Sequence, residues 1–163
     1  MNTSKIAEEL QAGDVVRRRA AAEHCAQHGV ESAAVVALVR ATNDPDESVR
    51  EWSVSALEDM GSPDVGLVME LLSLLNNPDE NVGYWAATLL GRLGESAAPA
   101  SAKLGEVVAG DLPIGVRQQA AWALQQIGPA AKDVLSQLLS AAESDDPRLA
   151  RLAISAIRAV NGP

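Results

Sequence analysis

The chain has 163 residues, of which 47% are apolar and 21% are charged, and its formal net charge is −9. This length and apolar content are enough for one domain with a buried core. The acidic balance argues against nucleic acid as a partner, because phosphates require clustered Lys and Arg. The single cysteine, Cys25, excludes an internal disulfide. We find no apolar run long enough for a membrane span and no signal sequence, so we expect a cytoplasmic protein with no membrane partner.

A 13-residue pattern recurs along the chain at a spacing of 33 or 34 residues. Four copies occupy residues 49–61, 82–94, 116–128 and 149–161. A further copy lies between Asp14 and Gly29 and is longer, so its first core residue stays open between Val16 and Arg17. Self-similarity at this period predicts a solenoid of stacked supersecondary units.

Each copy has the periodicity of a helix. We number its positions from zero at the first residue, which is Val49, Val82, Val116 or Leu149. Apolar residues recur at positions 0, 4, 7, 8 and 11 and form one stripe on a helix. The core is therefore predicted to consist of Leu, Ile, Val and Ala.

Further helical stretches precede and separate the copies, at residues 1–11, 32–42, 63–76, 97–109 and 129–142. Gly61, Gly94 and Gly128 stand where helices end, and each is predicted to be a left-handed C-cap. The sequence therefore predicts an all-α fold, a right-handed α-solenoid of about five antiparallel helix pairs. We expect a single domain over 1–163, with repeats at approximately 1–29, 30–61, 62–94, 95–128 and 129–163.

The succession of Asp/Asn-Pro, Val-Arg, small residues, Ala-Leu and a closing Gly resembles the HEAT repeat. More narrowly, it resembles the short phycobilisome-lyase HEAT-like repeat. In that family the Arg ties neighbouring repeats together, which implies a structural role for Arg17, Arg50 and Arg117. Gly83 and Ala150 depart from the pattern at this position. The neighbouring cluster of Arg17, Arg18 and Arg19 is interpreted as a solvated helix start.

The sequence offers little catalytic chemistry. It has two histidines, His24 and His28, which share a helix face at a spacing of four. A zinc site needs further ligands, and their neighbours Glu23 and Cys25 point away. We therefore expect no catalytic site, no metal site and no cofactor.

Positions 3, 6 and 10 form one flank of the repeated helix. All the tryptophans fall on this flank, at positions 3 and 6, and the single tyrosine lies beside them at position 2. In HEAT proteins this helix lines the concave surface of the solenoid, and Trp, Tyr and Arg anchor protein interfaces. We therefore predict a noncatalytic groove that binds a protein or peptide. Its candidate residues are Trp52, Ser55, Asp59, Tyr84, Trp85, Thr88, Arg92, Gln119, Trp122 and Gln126.

Several alternatives stay open. Trp52 and Trp85 border the core stripe, so both could be half-buried packing residues. The family resemblance also implies a bilin lyase or a lyase-like chromophore chaperone, and a third possibility is a scaffold fragment of a larger protein. Position 5 faces the next repeat, so Ile154 and Ala150 are expected to be exposed at the end of the last copy. A homodimer through this C-terminal end is one consequence.

Overall fold

The computed structural model describes residues 3–162, and these contain ten α-helices and no strand. The prediction of an all-α solenoid is confirmed. The helices are α1 (Thr3–Glu9), α2 (Val15–His28), α3 (Val35–Ala41), α4 (Glu47–Asp59), α5 (Val68–Leu74), α6 (Glu80–Arg92), α7 (Ser101–Ala109), α8 (Ile114–Ile127), α9 (Leu135–Ala142) and α10 (Pro147–Asn161).

Odd-numbered helices after α1 begin with tighter 3₁₀ turns. These turns cover Ser32–Ala34, Val65–Leu67, Gly94–Ala100 and Gly128–Val134. The stretches predicted between the copies are therefore helical, but each opens with 3₁₀ geometry before the α-helix begins. This geometry is common at helix N-termini and in short connections.

Aspartates cap the N-termini of four of the five even-numbered helices. The carboxylates of Asp14, Asp46, Asp79 and Asp146 accept hydrogen bonds from backbone N–H groups in the first turn of their helices. These groups have no partner within the helix, so each cap stabilises the helix start. Pro113 takes the same place before α8 and has no side-chain cap.

Two of the three predicted C-cap glycines have a positive φ. Gly94 has φ +57° and Gly128 has φ +68°, values that glycine adopts without steric cost, but the ψ of −138° at Gly128 lies outside the left-handed helical region. The prediction is wrong at Gly61. There α4 ends at Asp59, and Met60 follows in an extended conformation with φ −71° and ψ 145°, so the chain leaves the helix without a left-handed residue.

The chain divides into two compact units, Met1–Pro63 (unit 1) and Asp64–Pro163 (unit 2). In unit 1, α2 packs on α4, and α1 contacts α2 and α3. In unit 2, α8 packs between α6 and α10, while α7 packs on α9. Each unit is thus a short stack of helix pairs, in which small residues let neighbouring helices approach.

The register of the first copy follows from its arginines. The Nη1 group of Arg50 donates to the carbonyls of Asp44 and Pro45, six and five residues before it. The Nη1 group of Arg18 donates to the carbonyls at the same two separations. Arg18 therefore matches Arg50, and the first copy starts at Arg17, so that it has the same 13 residues as the others.

This register changes the roles of the arginine cluster. Arg18 pairs with Asp44, with Nε–Oδ2 at 2.7 Å, and Arg19 pairs with Asp46, with Nη2–Oδ2 at 2.8 Å. Arg17 instead pairs with Glu9 of the same helix pair. The arginine that ties the first repeat to the second is therefore Arg18, helped by Arg19, and the expectation for Arg17 is wrong.

The core is mostly Leu, Ile, Val and Ala, as predicted, but it also contains a cysteine, a tryptophan and a few Ser and Thr residues. Cys25 in unit 1 and Trp85 in unit 2 are both buried. Burial raises the pKa of the Cys25 thiol to about 11, because desolvation disfavours the thiolate. This thiol is therefore a small apolar packing group at neutral pH.

Candidate functional site

The ten predicted binding residues divide between the two units and differ in exposure. Asp59 and Gln126 are exposed, six are half-buried, and two are buried. The half-buried residues are Trp52, Ser55, Tyr84, Arg92, Gln119 and Trp122. Trp52, Ser55 and Asp59 belong to unit 1, on α4, and the other seven belong to unit 2.

Trp85 and Thr88 are core residues of the fold, contrary to the sequence prediction that they line a binding groove. Trp85 is 7% exposed and Thr88 is 6% exposed. The Tyr84 ring meets the Trp85 indole edge-on at 5.7 Å between centroids. The Thr88 hydroxyl donates to the carbonyl of Tyr84 at 2.8 Å. Neither side chain can be a main anchor for a ligand, and their role is packing.

Trp122 shows why position 6 is less open than a single-helix wheel suggests. Its indole lies against Gly91 of α6, where a Cβ atom would come 2.7 Å from Cε3. The same Cβ would lie 3.1 Å from the Cα of Ala123. Position 6 therefore faces the preceding helix of the stack as well as solvent. One edge of the Trp122 indole packs against Gly91, and the rest of the ring stays accessible.

Five accessible residues remain on α6 and α8 of unit 2, and we call them the Trp122 surface: Tyr84, Arg92, Gln119, Trp122 and Gln126. Gln119, Trp122 and Gln126 follow one another at steps of three and four, so they share a face of α8. Arg92 lies one residue after Gly91, and its Cζ is 5.8 Å from the centre of the Trp85 ring. The surface combines aromatic rings, a guanidinium and two amides.

The two amides of the Trp122 surface are available for hydrogen bonding. Over residues 3–162, the structure gives the side chains of Gln119 and Gln126 no hydrogen-bond partner. Each amide has two N–H donors and a carbonyl acceptor. Together they can therefore bind the backbone N–H and C=O groups of an extended segment. Gln118, by contrast, already donates to Asp146 at 2.9 Å.

The sequence analysis did not identify Gly91 as part of the site. Position 9 holds Glu58, Gln125 and Arg158 in other copies, and Gly91 only in the third. A glycine inside a helix costs about 0.5–1 kcal/mol relative to alanine. Such a residue in an otherwise regular repeat indicates a close approach, and here the approaching group is Trp122.

The histidine pair makes no metal centre with its neighbours. The rings of His24 and His28 stack with centroids 4.4 Å apart, and Nδ1 of His28 lies 3.2 Å from the carbonyl of His24. No cluster of three potential metal ligands occurs in the part of the chain that the structure describes. Among the same residues, no helix is both long and apolar enough to cross a membrane.

Comparisons with known proteins agree with the repeat geometry. Residues 3–66 match a family model described as HEAT repeats, and residues 116–143 match the PBS lyase HEAT-like repeat. These are HEAT repeats. The second match covers most of α8 and all of α9, so it includes three residues of the Trp122 surface. A comparison of the HEAT-repeat chain with curated proteins found no significant match.

Solved structures with similar folds are natural and designed solenoids. A structure of the complex of CpcE and CpcF of phycocyanin lyase from Nostoc sp. PCC7120 matches with TM-score 0.65 and 27% identity, covering 98% of this chain and 65% of that one. A designed armadillo repeat protein in complex with the peptide (KR)4 matches with TM-score 0.62 and 18% identity, covering 98% and 82%. An engineered protein matches with TM-score 0.63 and 23% identity, covering 96% and 78%.

Proposed function

We propose that this HEAT-repeat chain is a noncatalytic module that binds a protein or peptide segment through the Trp122 surface of unit 2. The observation that carries the proposal is the seating of Trp122 on Gly91. The close approach fixes the indole in place while leaving it partly exposed. A rigid, partly exposed tryptophan loses little side-chain entropy when a ligand packs on it.

The neighbouring side chains supply the polar part of the interface. Gln119 and Gln126 flank Trp122 on the same face of α8 and can bond the backbone of an extended peptide. Tyr84 and Arg92 on α6 add an aromatic ring and a guanidinium. An apolar anchor surrounded by polar groups is the usual anatomy of a protein interface. An apolar side chain of the ligand would pack on the indole, and the amides would fix its direction.

The fold is compatible with this use. HEAT and armadillo solenoids form extended binding surfaces, and one of the designed relatives is in complex with a peptide. That likeness supports the architecture, whereas the choice of surface depends on the residues of this chain. Trp52, Ser55 and Asp59 form a separate set on α4 of unit 1, and the proposal gives them a secondary part.

The test is a selection for peptide ligands. A phage-displayed random peptide library is selected on the wild-type chain, and enriched peptides are titrated by fluorescence in a Trp52→Phe, Trp85→Phe background, where Trp122 is the only indole. Ligands should change the Trp122 emission. Trp122→Ala removes the reporting indole, so it is made in the wild-type chain and titrated by calorimetry, where it should weaken binding by about 30-fold, equivalent to about 2 kcal/mol.

A second variant separates binding from folding. Gln126 is exposed, so Gln126→Ala should leave stability unchanged and still weaken the same peptides. Gln27→Ala is the matched control, because Gln27 is an exposed helical glutamine of unit 1. Peptides that bind equally well to folded Gln126→Ala and Trp122→Ala chains, or a library that yields no ligand, would overturn the proposal.

A second candidate function is a lyase-like chaperone for a bilin. It is favoured by the PBS lyase HEAT-like match over residues 116–143, which contains Gln119, Trp122 and Gln126. A tetrapyrrole could stack on the indole, with the amides bonding its pyrrole N–H and carbonyl groups. Free bilin added to the chain should then change its absorbance and quench Trp122. Unchanged spectra would exclude this candidate and leave the peptide proposal standing.

A further inference from the structure

Neighbouring repeats are joined by a recurring polar contact. Arg19, at position 2 of the first copy, donates to the N-cap carboxylate of Asp46 in the second, at 2.8 Å. Gln118, at position 2 of the fourth copy, donates to the N-cap carboxylate of Asp146 in the fifth, at 2.9 Å. A position-2 donor thus reaches forward to the capping aspartate of the following copy in both units.

The last copy presents the same contact groups to solvent. Arg151 holds position 2, and Ile154, at position 5, is 41% exposed. Its counterpart in the fourth copy, Ala121, is fully buried. On α9, Leu139 is 53% exposed, whereas its counterpart Gly105 lies against Val134 of the next helix pair. We call the exposed residues Arg151, Ile154, Leu139 and Arg158 the C-terminal face.

The first copy presents the receiving half of this contact. Asp14 is the N-cap of α2, as Asp46 and Asp146 are the N-caps of α4 and α10, but unlike those two half-buried residues it is exposed. Beside it lies an open hollow of about 350 Å³ lined by Lys5, Glu9, Val16, Arg17, Ala20 and Ala21. Val16 is 65% exposed there. We call Asp14, Glu23 and this hollow the N-terminal face.

The two faces are complementary at the positions that correspond within the repeat, and the hollow adds Lys5 and the internally paired Arg17 and Glu9. In the head-to-tail arrangement, Arg151 of one copy would donate to Asp14 of the next, as Gln118 donates to Asp146 inside the chain. Inside the chain, position 9 of one copy contacts position 6 of the next, as Gly91 contacts Trp122. If a second copy followed the last repeat, Arg158 at position 9 would meet Glu23 at position 6 of its first repeat. The apolar Ile154 corresponds to the hollow. Each contact thus has a counterpart already present inside the chain.

We propose that the chain associates head to tail, with the C-terminal face of one copy docking on the N-terminal face of a second copy in the manner of consecutive repeats. This is a heterologous contact between two different surfaces. A symmetric dimer through two C-terminal faces would place Arg151 and Arg158 near their own counterparts, and like charges at an interface are unfavourable. Charge complementarity therefore selects the head-to-tail arrangement.

The interface is small, so association is weak and depends on concentration and salt. Sedimentation velocity of the wild-type chain at low ionic strength should show a mass that rises with concentration and falls when salt is added. Ile154→Glu blocks the C-terminal face, and Ala20→Glu blocks the N-terminal face. Both positions are exposed, so circular dichroism should show unchanged folds, and each variant alone should be monomeric.

Mixing the two variants discriminates between arrangements. The Ala20→Glu chain keeps its C-terminal face, and the Ile154→Glu chain keeps its N-terminal face, so an equimolar mixture should form a dimer that cannot extend. In a symmetric C-terminal dimer, Ala20→Glu alone would still dimerise and mixing would add nothing. That outcome, or a wild-type chain that stays monomeric at the highest attainable concentration, would overturn the proposal. It shares no residue with the Trp122 surface, so the two proposals fail separately.

Discussion

Units 1 and 2 use the same repeat, but α2 and α4 of unit 1 are joined by different means from α6 and α8 of unit 2. In unit 1 the first two repeats are tied by ion pairs, Arg18 with Asp44 and Arg19 with Asp46. In unit 2, α6 and α8 meet by close packing, with Gly83 beside Val116 and Gly91 beneath Trp122, while α8 and α10 share the Gln118–Asp146 hydrogen bond. The repeat therefore fixes the spacing of the helices and leaves the chemistry of the joint free to vary.

The difference has a functional consequence. Solvent and salt weaken the partly exposed Arg19–Asp46 pair, which therefore contributes little net stability, whereas the Arg18–Asp44 pair is mostly buried. A packed joint instead depends on shape and tolerates little change in volume. Unit 2 is thus the part in which a side chain such as Trp122 is held in one place. The tryptophans report on the two units separately, because Trp52 lies in unit 1 and the others lie in unit 2.

The largest expected effect is the loss of the buried indole. Trp85→Ala should lower the free energy of unfolding by about 3–5 kcal/mol, because it removes a large core side chain and leaves a cavity. Urea denaturation followed by circular dichroism measures this. Trp52 holds the matching position on α4 and is only half-buried, so Trp52→Ala should lower the free energy of unfolding by less. Equal losses at both positions would remove the contrast between the two indoles.

The next largest loss of stability is expected from adding a methyl group at Gly91, where the Trp122 indole packs. Gly91→Ala should destabilise the chain by about 1–3 kcal/mol, because the added methyl displaces the indole, which outweighs the gain in helix propensity. It should also shift the Trp122 emission. Gly13→Ala is the control, since a Cβ there meets nothing within 4 Å. A Gly91→Ala chain with raised stability would show that the joint can relax.

An opposite effect is expected in unit 1. Ser53 is fully buried, and in residues 3–162 its hydroxyl has no hydrogen-bond partner. Ala86, Ala120 and Ala153 hold the same position in the later copies. Ser53→Ala should therefore raise the free energy of unfolding by about 1 kcal/mol, because an unsatisfied buried hydroxyl is removed. Differential scanning calorimetry tests the sign, and a lower Tm would reveal a partner for the hydroxyl.

The smallest effect is a pH dependence at the polar joint. The hydrogen bond from Arg19 holds the pKa of Asp46 below its ordinary value. A carboxyl whose pKa is lower when folded stabilises the fold above the ordinary aspartate pKa, and this contribution is lost as the pH falls through the folded value. Arg19→Met should therefore flatten the fall in Tm below about pH 4. If Arg19→Met left the dependence of Tm on pH unchanged in acid, the Arg19–Asp46 ion pair would not contribute to stability.

The sequence predicted the repeat because its signals are local. Gly94 and Gly128 mark helix ends, and the spacing of apolar residues places one stripe on each helix. The sequence left the packing of Trp85 open, because this residue borders the core stripe. It could not predict the burial of Thr88, since a helical wheel treats one helix alone and omits the neighbouring helices of the stack. The register of the first copy stayed open, and Arg17 was matched to Arg50 and Arg117, because Arg17, Arg18 and Arg19 are chemically equivalent in sequence. Only their different acceptors distinguish them.

The burial of Cys25 offers a practical opportunity. The chain has one thiol, and burial keeps that thiol protonated and inaccessible at neutral pH. Alkylating reagents attack the thiolate, so they should pass over this residue in the native protein. A cysteine introduced at the exposed Gln126 would then be labelled selectively in the otherwise natural chain. A single fluorophore could follow ligand binding at that surface without removal of the native cysteine.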